Sequence, residues 1–215
     1  YKEVQEDIKS LFEEDKDLKA IWKSSTNHDQ KVSINFDNIP KEEFYPWMDR
    51  SLEEYYESFK NSNANILLLI GEPGTGKTTF LKGLIKKFDT NVWVSYDSEL
   101  LRRDSLYAEY FLDEESNLFI FEDADTFLKP RKDGNEIVQK FLNLGDGIIS
   151  NRSKKFVFTT NLENVNEIDK ALIRGGRCFD VMHFRSLSYE ESLKINSNLE
   201  EERNYKLSEI FHKKK

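Results

Sequence analysis

A glycine-rich segment at residues 71–79, GEPGTGKTT, is the part of the sequence best suited to chemistry. Gly71, Gly76, Lys77 and Thr78 fit the pattern G-x-x-x-x-G-K-[ST]. An apolar run precedes this segment and a helical pattern follows it. In that setting the backbone N–H groups of the loop converge on one point, and the helix N-terminus adds positive potential there. The segment therefore predicts a phosphate-binding site.

Each residue of this loop has an expected role. We expect Lys77 to reach the β- and γ-phosphate oxygens of a nucleotide and the Thr78 hydroxyl to ligate Mg²⁺. A glycine turn with a chance lysine is the alternative, and the agreement between motif and setting argues against it. The predicted nucleotide-binding residues are Glu72, Pro73, Gly74, Thr75, Gly76, Lys77, Thr78 and Thr79.

A second chemical element is LFIFEDAD at residues 118–125, where four apolar residues lead into carboxylates. One carboxylate at a strand end can hold the water shell of a metal ion, and the next can orient and deprotonate an attacking water. Position along the strand gives Glu122 the metal side and Asp123 the base, whereas residue type reverses the two roles. We favour position, because the geometry of the strand determines which part of the site each carboxylate can reach. An acidic strand end that faces solvent is the remaining alternative.

Two further polar features follow downstream. Asn161 comes directly after the apolar FVFTT run, where its amide could hydrogen-bond a γ-phosphate or the attacking water. Asparagine is common at strand ends, so this signal gains weight only beside the first two. Arg174 and Arg177 follow a predicted short helix. An arginine supplied to a neighbour's γ-phosphate is worth about 10³ to 10⁵ in rate, whereas two solvated arginines at a helix end are the alternative.

The elements that must position these residues alternate along the chain, which predicts an α/β fold with a parallel sheet and helices on both faces. Strands are predicted at residues 31–36, 66–70, 91–96, 117–121, 154–160 and 181–184. Helices are predicted at residues 1–23, 46–59, 78–88, 98–111 (with Ser98 as N-cap), 134–148, 167–174 and 188–202. We divide the chain into an N-terminal helical extension (1–62), a nucleotide-binding core (63–185) and a partial C-terminal helical lid (186–215).

Composition excludes some classes of protein. Acidic residues (40) outnumber basic ones (32), and the net charge of −8 argues against broad nucleic-acid binding. The single cysteine, Cys178, excludes an internal disulfide and favours a reducing compartment, so we expect a cytoplasmic protein. No apolar run approaches the roughly 20 residues of a membrane helix, and no secretory signal is visible. The three histidines are scattered, without metal-ligand spacing.

These features, in this order, resemble the AAA+ ATPases, and more narrowly the AAA clade, over about residues 63–191. The resemblance implies a P-loop NTPase core, ATP with Mg²⁺, and a homo-oligomeric ring, commonly a hexamer, with nucleotide at each subunit boundary. Asn161 would match the sensor residue, and Arg174 and Arg177 the paired fingers that act on the next subunit's ATP. The Glu122-Asp123 order and the sequence ALIR are similar to the mitochondrial complex III assembly ATPase and its relatives.

The chain departs from the clade at several points. Gly175 replaces the common proline between the arginines, and the aspartate after the second arginine comes one residue late, at Asp180. The stretch that would carry a polypeptide-threading loop has no glycine. Leu106 and Tyr107 are the best substitutes there, although both also fit a buried helix face. The C-terminal lid is short. Adenine contacts are expected before the glycine loop, at Ile39 and Pro40.

The sequence therefore favours a Mg²⁺-dependent ATPase that forms a ring and remodels a macromolecule, with a protein favoured over a nucleic acid. A nucleic-acid-handling loader of the same family is one alternative. A nucleotide-sensing scaffold with weak turnover is another, and the reversed acidic pair leaves it open. A small-molecule kinase ranks last, because it needs neither the polar end of the FVFTT strand nor the paired arginines.

Overall fold

The computed structural model of the chain describes residues 18–26, 28–130, 138, 151–162 and 164–211, with Asp104 described by its backbone alone. The strands are β1 (Lys19–Trp22), β2 (Gln30–Ser33), β3 (Ile66–Gly71), β4 (Asn91–Ser95), β5 (Ser116–Phe121), β6 (Lys155–Thr160) and β7 (Cys178–Phe184). The α-helices are α1 (Leu52–Asn61), α2 (Lys77–Phe88), α3 (Asp104–Leu112), α4 (Asp125–Leu128), α5 (Tyr189–Ile195) and α6 (Leu207–Phe211). Short 3₁₀ helices occupy Glu42–Phe44, Ser98–Arg102 and Val165–Glu167.

The strands form one sheet in the order β2-β1-β4-β5-β6-β3-β7. Its pairs are parallel except for the antiparallel pair β1–β2 at one edge. The central strands β3 and β6 are buried along their whole length, as expected for parallel strands covered on both faces. This architecture confirms the predicted P-loop α/β fold, a mostly parallel sheet flanked by helices.

Alternation along β3 divides the core into two layers. Leu68 and Ile70 pack into the layer that also holds α3 residues such as Tyr110. Leu67 and Leu69 face the other layer, which is built with α1 and α2. Both core layers therefore pack against β3, and the glycine loop begins at the end of this buried strand.

Capping sets where two helices start. The helix predicted from Pro46 begins only after Ser51, whose hydroxyl accepts from the Glu54 N–H while the Glu54 carboxylate accepts from the Ser51 N–H. Ser188 and Glu191 form the same reciprocal pair ahead of α5, where a capped helix was predicted. Helices α5 and α6 lie within residues 186–215, for which a partial helical lid was predicted.

Two of the predicted helices, at residues 1–23 and 167–174, need correction. The helix predicted over residues 1–23 is wrong for Lys19–Trp22, which forms β1 and pairs in parallel with β4, while residues 1–17 lie outside the described part. The described start of the predicted helical extension therefore belongs to the sheet. The helix predicted over residues 167–174 does not form either. Asp169 accepts a hydrogen bond from the Ala171 N–H, and such local side-chain bonds compete with a helix.

Two other helix predictions have mixed outcomes. The helix predicted over residues 98–111 is divided into a 3₁₀ turn and α3, and Asp97 rather than Ser98 caps the turn by accepting from the Glu99 N–H at 2.9 Å. The helix predicted over residues 134–148 lies outside the described residues, apart from Val138, which is buried.

Candidate functional site

The glycine loop joins the end of β3 to the start of α2, and backbone geometry explains two of its glycines. Gly71 has φ +139°, and a Cβ there would lie 2.1 Å from the backbone oxygen of Phe184. Gly76 precedes α2 with φ +104°, and a Cβ there would lie 2.8 Å from Leu207 Cδ2. Larger residues are excluded at both ends, so the loop makes a tight turn directly ahead of the helix N-terminus.

A cavity of about 1320 Å³ lies over this loop, and it is large enough for a nucleoside triphosphate. The loop and the adjoining strand ends contribute Pro73, Gly74, Gly76, Lys77, Thr78, Thr79, Glu122, Asp123, Thr159 and Asn161. The opposite wall comprises Asp37, Asn38, Ile39, Pro40, Lys41, Phe44, Leu207, Ser208 and Phe211. Most of the predicted site residues therefore meet at one cavity.

Two predicted loop residues, Glu72 and Thr75, do not line the cavity. The Thr75 side chain is buried, and its hydroxyl donates to the Glu72 carbonyl at 2.7 Å. The Glu72 carboxylate pairs with Lys206 Nζ at 2.7 Å, and the Ser208 N–H donates to the Gly74 carbonyl at 3.0 Å. Both contacts tie the C-terminal segment to the loop.

Lys77 is buried at the first position of α2. Its ammonium group donates to the Gly71 carbonyl at 2.5 Å, to the Glu72 carbonyl at 3.1 Å and to Asn161 Oδ1 at 3.1 Å. These contacts hold the ammonium group between the loop and the end of β6.

Burial lowers the pKa of Lys77, and the carboxylates of Asp123, Asp125 and Glu122 counteract this effect. A bound polyphosphate would act in the same direction as the carboxylates, because negative charge favours the ammonium form. An anionic ligand bound beside Lys77 would therefore raise the pKa of this residue and keep it protonated.

Glu122 lies between two hydroxyl groups. Its Oε2 accepts from the Thr78 hydroxyl at 3.4 Å, and its Oε1 accepts from the Tyr96 hydroxyl at 3.0 Å. Burial, and then the Glu122 carboxylate, raise the pKa of Tyr96 from 10.0 to about 12, so the phenol stays protonated as the donor near neutral pH. Tyr96 is not among the residues predicted from the sequence, although its place directly after β4 puts it at the same edge of the sheet.

Asp123 occupies a different part of the site. Its backbone is left-handed, with φ +54°, and its N–H donates to Thr159 Oγ1 at 3.2 Å. Its Oδ1 accepts from Asn161 Nδ2 at 3.1 Å. The two acidic residues are thus separated, with Glu122 beside Thr78 and Asp123 beside Asn161.

Arg174 and Arg177 do not line the cavity of their own chain. The Arg177 carbonyl accepts from the N–H groups of Asn65 and Ile66, at the start of β3, whereas the glycine loop follows the end of that strand. The Arg177 guanidinium donates to the Ala171 carbonyl at 3.1 Å, and the Arg174 side chain is exposed. The two arginines therefore lie at the opposite end of the sheet from the glycine loop.

The candidates for a threading loop are wrong. Leu106 is 0% exposed and Tyr107 is 4% exposed, and the Tyr107 hydroxyl donates to the Leu101 carbonyl at 3.0 Å. Both side chains belong to the core layer below α3.

The wall opposite the loop is partly apolar. Ile39 and Pro40 line it as predicted, together with Phe44 and Phe211, whose ring centroids lie 5.4 Å apart at 73°. Phe211 belongs to α6 and has no counterpart in the sequence-based expectations. A purine base could be accommodated between these side chains.

The oxygen groups near Thr78 suit magnesium. Within the described ranges, no group of three or more His, Cys, Asp or Glu side chains is arranged to hold a metal ion. Mg²⁺ usually binds one or two protein oxygens together with substrate phosphates and water, so the Thr78 hydroxyl and the Glu122 carboxylate fit it.

Comparisons with known proteins agree with this geometry. A family model described as "ATPase family associated with various cellular activities (AAA)" matches residues 67–186, more than half of the chain. In Arabidopsis thaliana, "AAA-ATPase At3g28570, mitochondrial" is 30% identical over 148 residues, which are 60% of this chain and 32% of that protein. "AAA-ATPase At5g40000" is 30% identical over 149 residues, 58% of this chain and 31% of that protein. The chain therefore spans about a third of the length of these relatives. Across the described segments, no helix combines the length and apolarity needed to cross a bilayer.

Proposed function

Because the chain belongs to the AAA family of ATPases, we propose that it binds ATP with Mg²⁺ over residues 71–79 and hydrolyses the ATP to ADP and phosphate. One observation carries the proposal. Lys77, Thr78, Glu122, Asp123 and Asn161 come from a helix and two different strand ends, yet they meet at one cavity. This set supplies a cation, a metal-ligating hydroxyl, two carboxylates and an amide, which are the groups that phosphoryl transfer to water requires.

Each of these side chains has a role in the proposed reaction. Lys77 would bind the β- and γ-phosphate oxygens, and Thr78 and Glu122 would hold Mg²⁺, which neutralises charge on those phosphates when bound. Asp123 would take a proton from the attacking water. The water oxygen would bond to the γ-phosphorus as the bond to the β–γ bridging oxygen breaks. Asn161 would position that water or the γ-phosphate.

The chain would act as a subunit of a ring, most simply a hexamer. The position of Arg174 and Arg177 away from their own cavity supports action on a neighbouring subunit's ATP. Head-to-tail interfaces of this kind form a ring when the rotation between neighbouring subunits closes on itself. The aspartate near the second arginine, Asp180, accepts from the Tyr55 hydroxyl at 2.8 Å, so it has a packing role that is independent of the fingers.

The ring would remodel a macromolecule, and the net charge of −8 favours a protein over a nucleic acid. For the compartment we propose a reducing one, cytoplasmic or mitochondrial. The single cysteine supports this, and one relative carries the word mitochondrial in its name.

The nucleotide site is tested by Lys77→Ala, with Lys86→Ala as the matched control. Lys86 lies on the same helix, is exposed, and does not line the cavity. Loss of a charge-assisted contact worth about 1.5–3 kcal/mol predicts a roughly 10- to 100-fold weaker affinity for Mg·ATP in Lys77→Ala. Isothermal titration should show this loss, and the control should match the wild type. Equal affinity in all three proteins would refute the proposed site.

The ring is tested separately by measuring mass in solution with and without a slowly hydrolysed ATP analogue. We expect assembly on nucleotide in the wild type and weak assembly in Lys77→Ala. A chain that hydrolyses ATP while remaining a monomer at every concentration would contradict the ring and leave the ATPase in place.

A further inference from the structure

Asp125, the first residue of α4, joins the ends of two neighbouring strands. Its Oδ1 accepts a hydrogen bond from the Thr160 hydroxyl and another from the Asn161 N–H at 2.9 Å. Thr160 is fully buried at the end of β6, and its hydroxyl oxygen in turn accepts from the Leu162 N–H at 3.1 Å. The carboxylate therefore fixes the chain on both sides of Asn161.

The Asn161 side chain has a single permitted orientation. Its Oδ1 accepts from Lys77 Nζ, and its Nδ2 donates to Asp123 Oδ1, each at 3.1 Å. A lysine ammonium group can only donate and a carboxylate can only accept, so a flipped amide would lose both bonds. Asn161 can make both hydrogen bonds only while its backbone keeps the amide within reach of Lys77 and Asp123.

We propose that Asp125 is a positioning residue for the reaction, which holds Asn161 so that its amide spans Lys77 and Asp123. The inference extends the proposed function, because Asn161 is there assigned to the attacking water or the γ-phosphate. Asp125 does not line the cavity, so it acts through Asn161. A displacement of about 1 Å in a reacting group can cost about 10²-fold in rate, which makes this anchor kinetically important.

Charge is the competing explanation for any effect of Asp125. Its carboxylate also favours the ammonium form of Lys77, and it lies in the first turn of α4, where a negative charge is favourable. Asparagine separates the two explanations, because its side-chain oxygen can accept the same two hydrogen bonds without the charge. Rescue by Asp125→Asn therefore distinguishes positioning from electrostatics.

The experiment compares Asp125→Ala, Asp125→Asn and Thr160→Val in steady-state ATP hydrolysis and in fluorescent-nucleotide binding. For Asp125→Ala we expect kcat to fall roughly 10- to 100-fold while nucleotide affinity stays within about threefold of the wild type. Asp125→Asn should recover kcat to within about fivefold of the wild type. Thr160→Val keeps the side-chain volume and removes one of the two donors, so it should show a smaller loss of kcat, and it tests the same anchor should Asp125→Ala not fold.

Amide hydrogen exchange at Asn161 and Leu162 gives a readout that does not need catalysis. Exchange should be faster in Asp125→Ala and close to wild type in Asp125→Asn. Equal loss of kcat and of amide protection in the Asn and Ala variants, or an unchanged Ala variant, would overturn the positioning role. A wild-type chain that neither binds nor hydrolyses ATP would instead refute the proposed function, and the exchange pattern would still decide whether Asp125 holds Asn161.

Discussion

The Tyr96 hydroxyl donates a 3.0 Å hydrogen bond to Glu122 Oε1, while Glu122 Oε2 lies 3.4 Å from the Thr78 hydroxyl. The two oxygens of one carboxylate are thus held by side chains from different elements. Thr78 is the proposed metal ligand, so the hydrogen bond from Tyr96 would keep Glu122 directed toward the proposed metal position. This relationship supports the assignment of the metal side to Glu122.

Tyr96→Phe removes the hydroxyl and keeps the ring. A hydrogen bond to a charged group contributes up to about 1.5–3 kcal/mol, and exposure reduces that value. We expect the Mg²⁺ concentration for half-maximal hydrolysis to rise about 3- to 10-fold, with a smaller change in kcat at saturating Mg²⁺. Tyr189→Phe is the control, because its hydroxyl donates to the Leu199 carbonyl outside the cavity. An unaltered Mg²⁺ dependence in Tyr96→Phe would exclude this role.

Glu122→Gln and Asp123→Asn should have different defects. Asparagine tolerates the left-handed backbone at position 123, so Asp123→Asn should fold normally. We expect Asp123→Asn to bind Mg·ATP and to lose single-turnover hydrolysis, as a base variant does. Glu122→Gln should require more Mg²⁺ and regain part of its rate at high Mg²⁺. The reverse pattern would assign the base to Glu122, as residue type alone suggests.

Mixed rings test the arginines. Subunits carrying Arg174→Ala or Arg177→Ala keep their own cavity intact, and Lys77→Ala subunits keep intact arginines. Each variant alone should be inactive. In an equal mixture of an arginine variant with Lys77→Ala, a boundary is intact only when the arginine variant supplies the cavity and the Lys77→Ala subunit supplies the arginines. Because each interface joins different surfaces of two subunits, this pairing occurs at up to about one boundary in four, and activity should return there. Arg102→Ala, at an exposed arginine paired with Glu99, is the control and should be active alone. No recovery in mixtures that do form rings would reject the finger assignment.

Lys155 predicts a pH dependence of stability. Burial lowers its pKa from 10.5 to about 8, although its ammonium group donates to the carbonyls of Ser62 and Ala64. Between these two pH values the unfolded chain binds the proton more tightly, so this lysine makes folding more favourable as pH rises from about 8 to 10.5. The gain is at most on the order of 3 kcal/mol, at about 1.36 kcal/mol per pKa unit.

Urea unfolding of the wild type and of Lys155→Met, between pH 7.5 and pH 10.5, measures this effect. The difference between the two proteins isolates Lys155 from the other buried lysines and tyrosines. The wild type should gain stability relative to Lys155→Met as pH rises. A difference that stays constant with pH would show that burial does not shift this pKa.

The sequence predicted those parts of the molecule that depend on short-range pattern. The glycine loop is a local motif. The buried strands β3, β5 and β6 are short, mainly apolar runs, a pattern typical of strands covered on both faces. The helix after the loop and the capped α5 follow from the same kind of local signal. These elements place Lys77, Glu122 and Asn161 at one edge of a parallel sheet, so the centre of the candidate site could be predicted.

The remaining features depend on which elements become neighbours. Tyr96 and Asp125 reach their partners only because β4, β5 and β6 lie side by side, and no local pattern gives that order. Leu18, Ile21 and Trp22 have a spacing that also suits a helix, but pairing with β4 decides in favour of a strand. At residues 167–174, where a helix was predicted, the Asp169 side chain accepts from the Ala171 N–H, a local bond that competes with helix formation.

The two ends of strand β3 contact different segments of the chain. Its first residue donates to the Arg177 carbonyl, and its last residue opens the glycine loop. Six fully buried residues span about 20 Å between these points. Hydrogen bonds to β6 on one side and β7 on the other fix this strand along its axis, so the glycine loop and the arginine turn stay at a set separation. In the proposed ring, each subunit's own nucleotide and the arginines that it offers to its neighbour would thereby be held about one strand length apart.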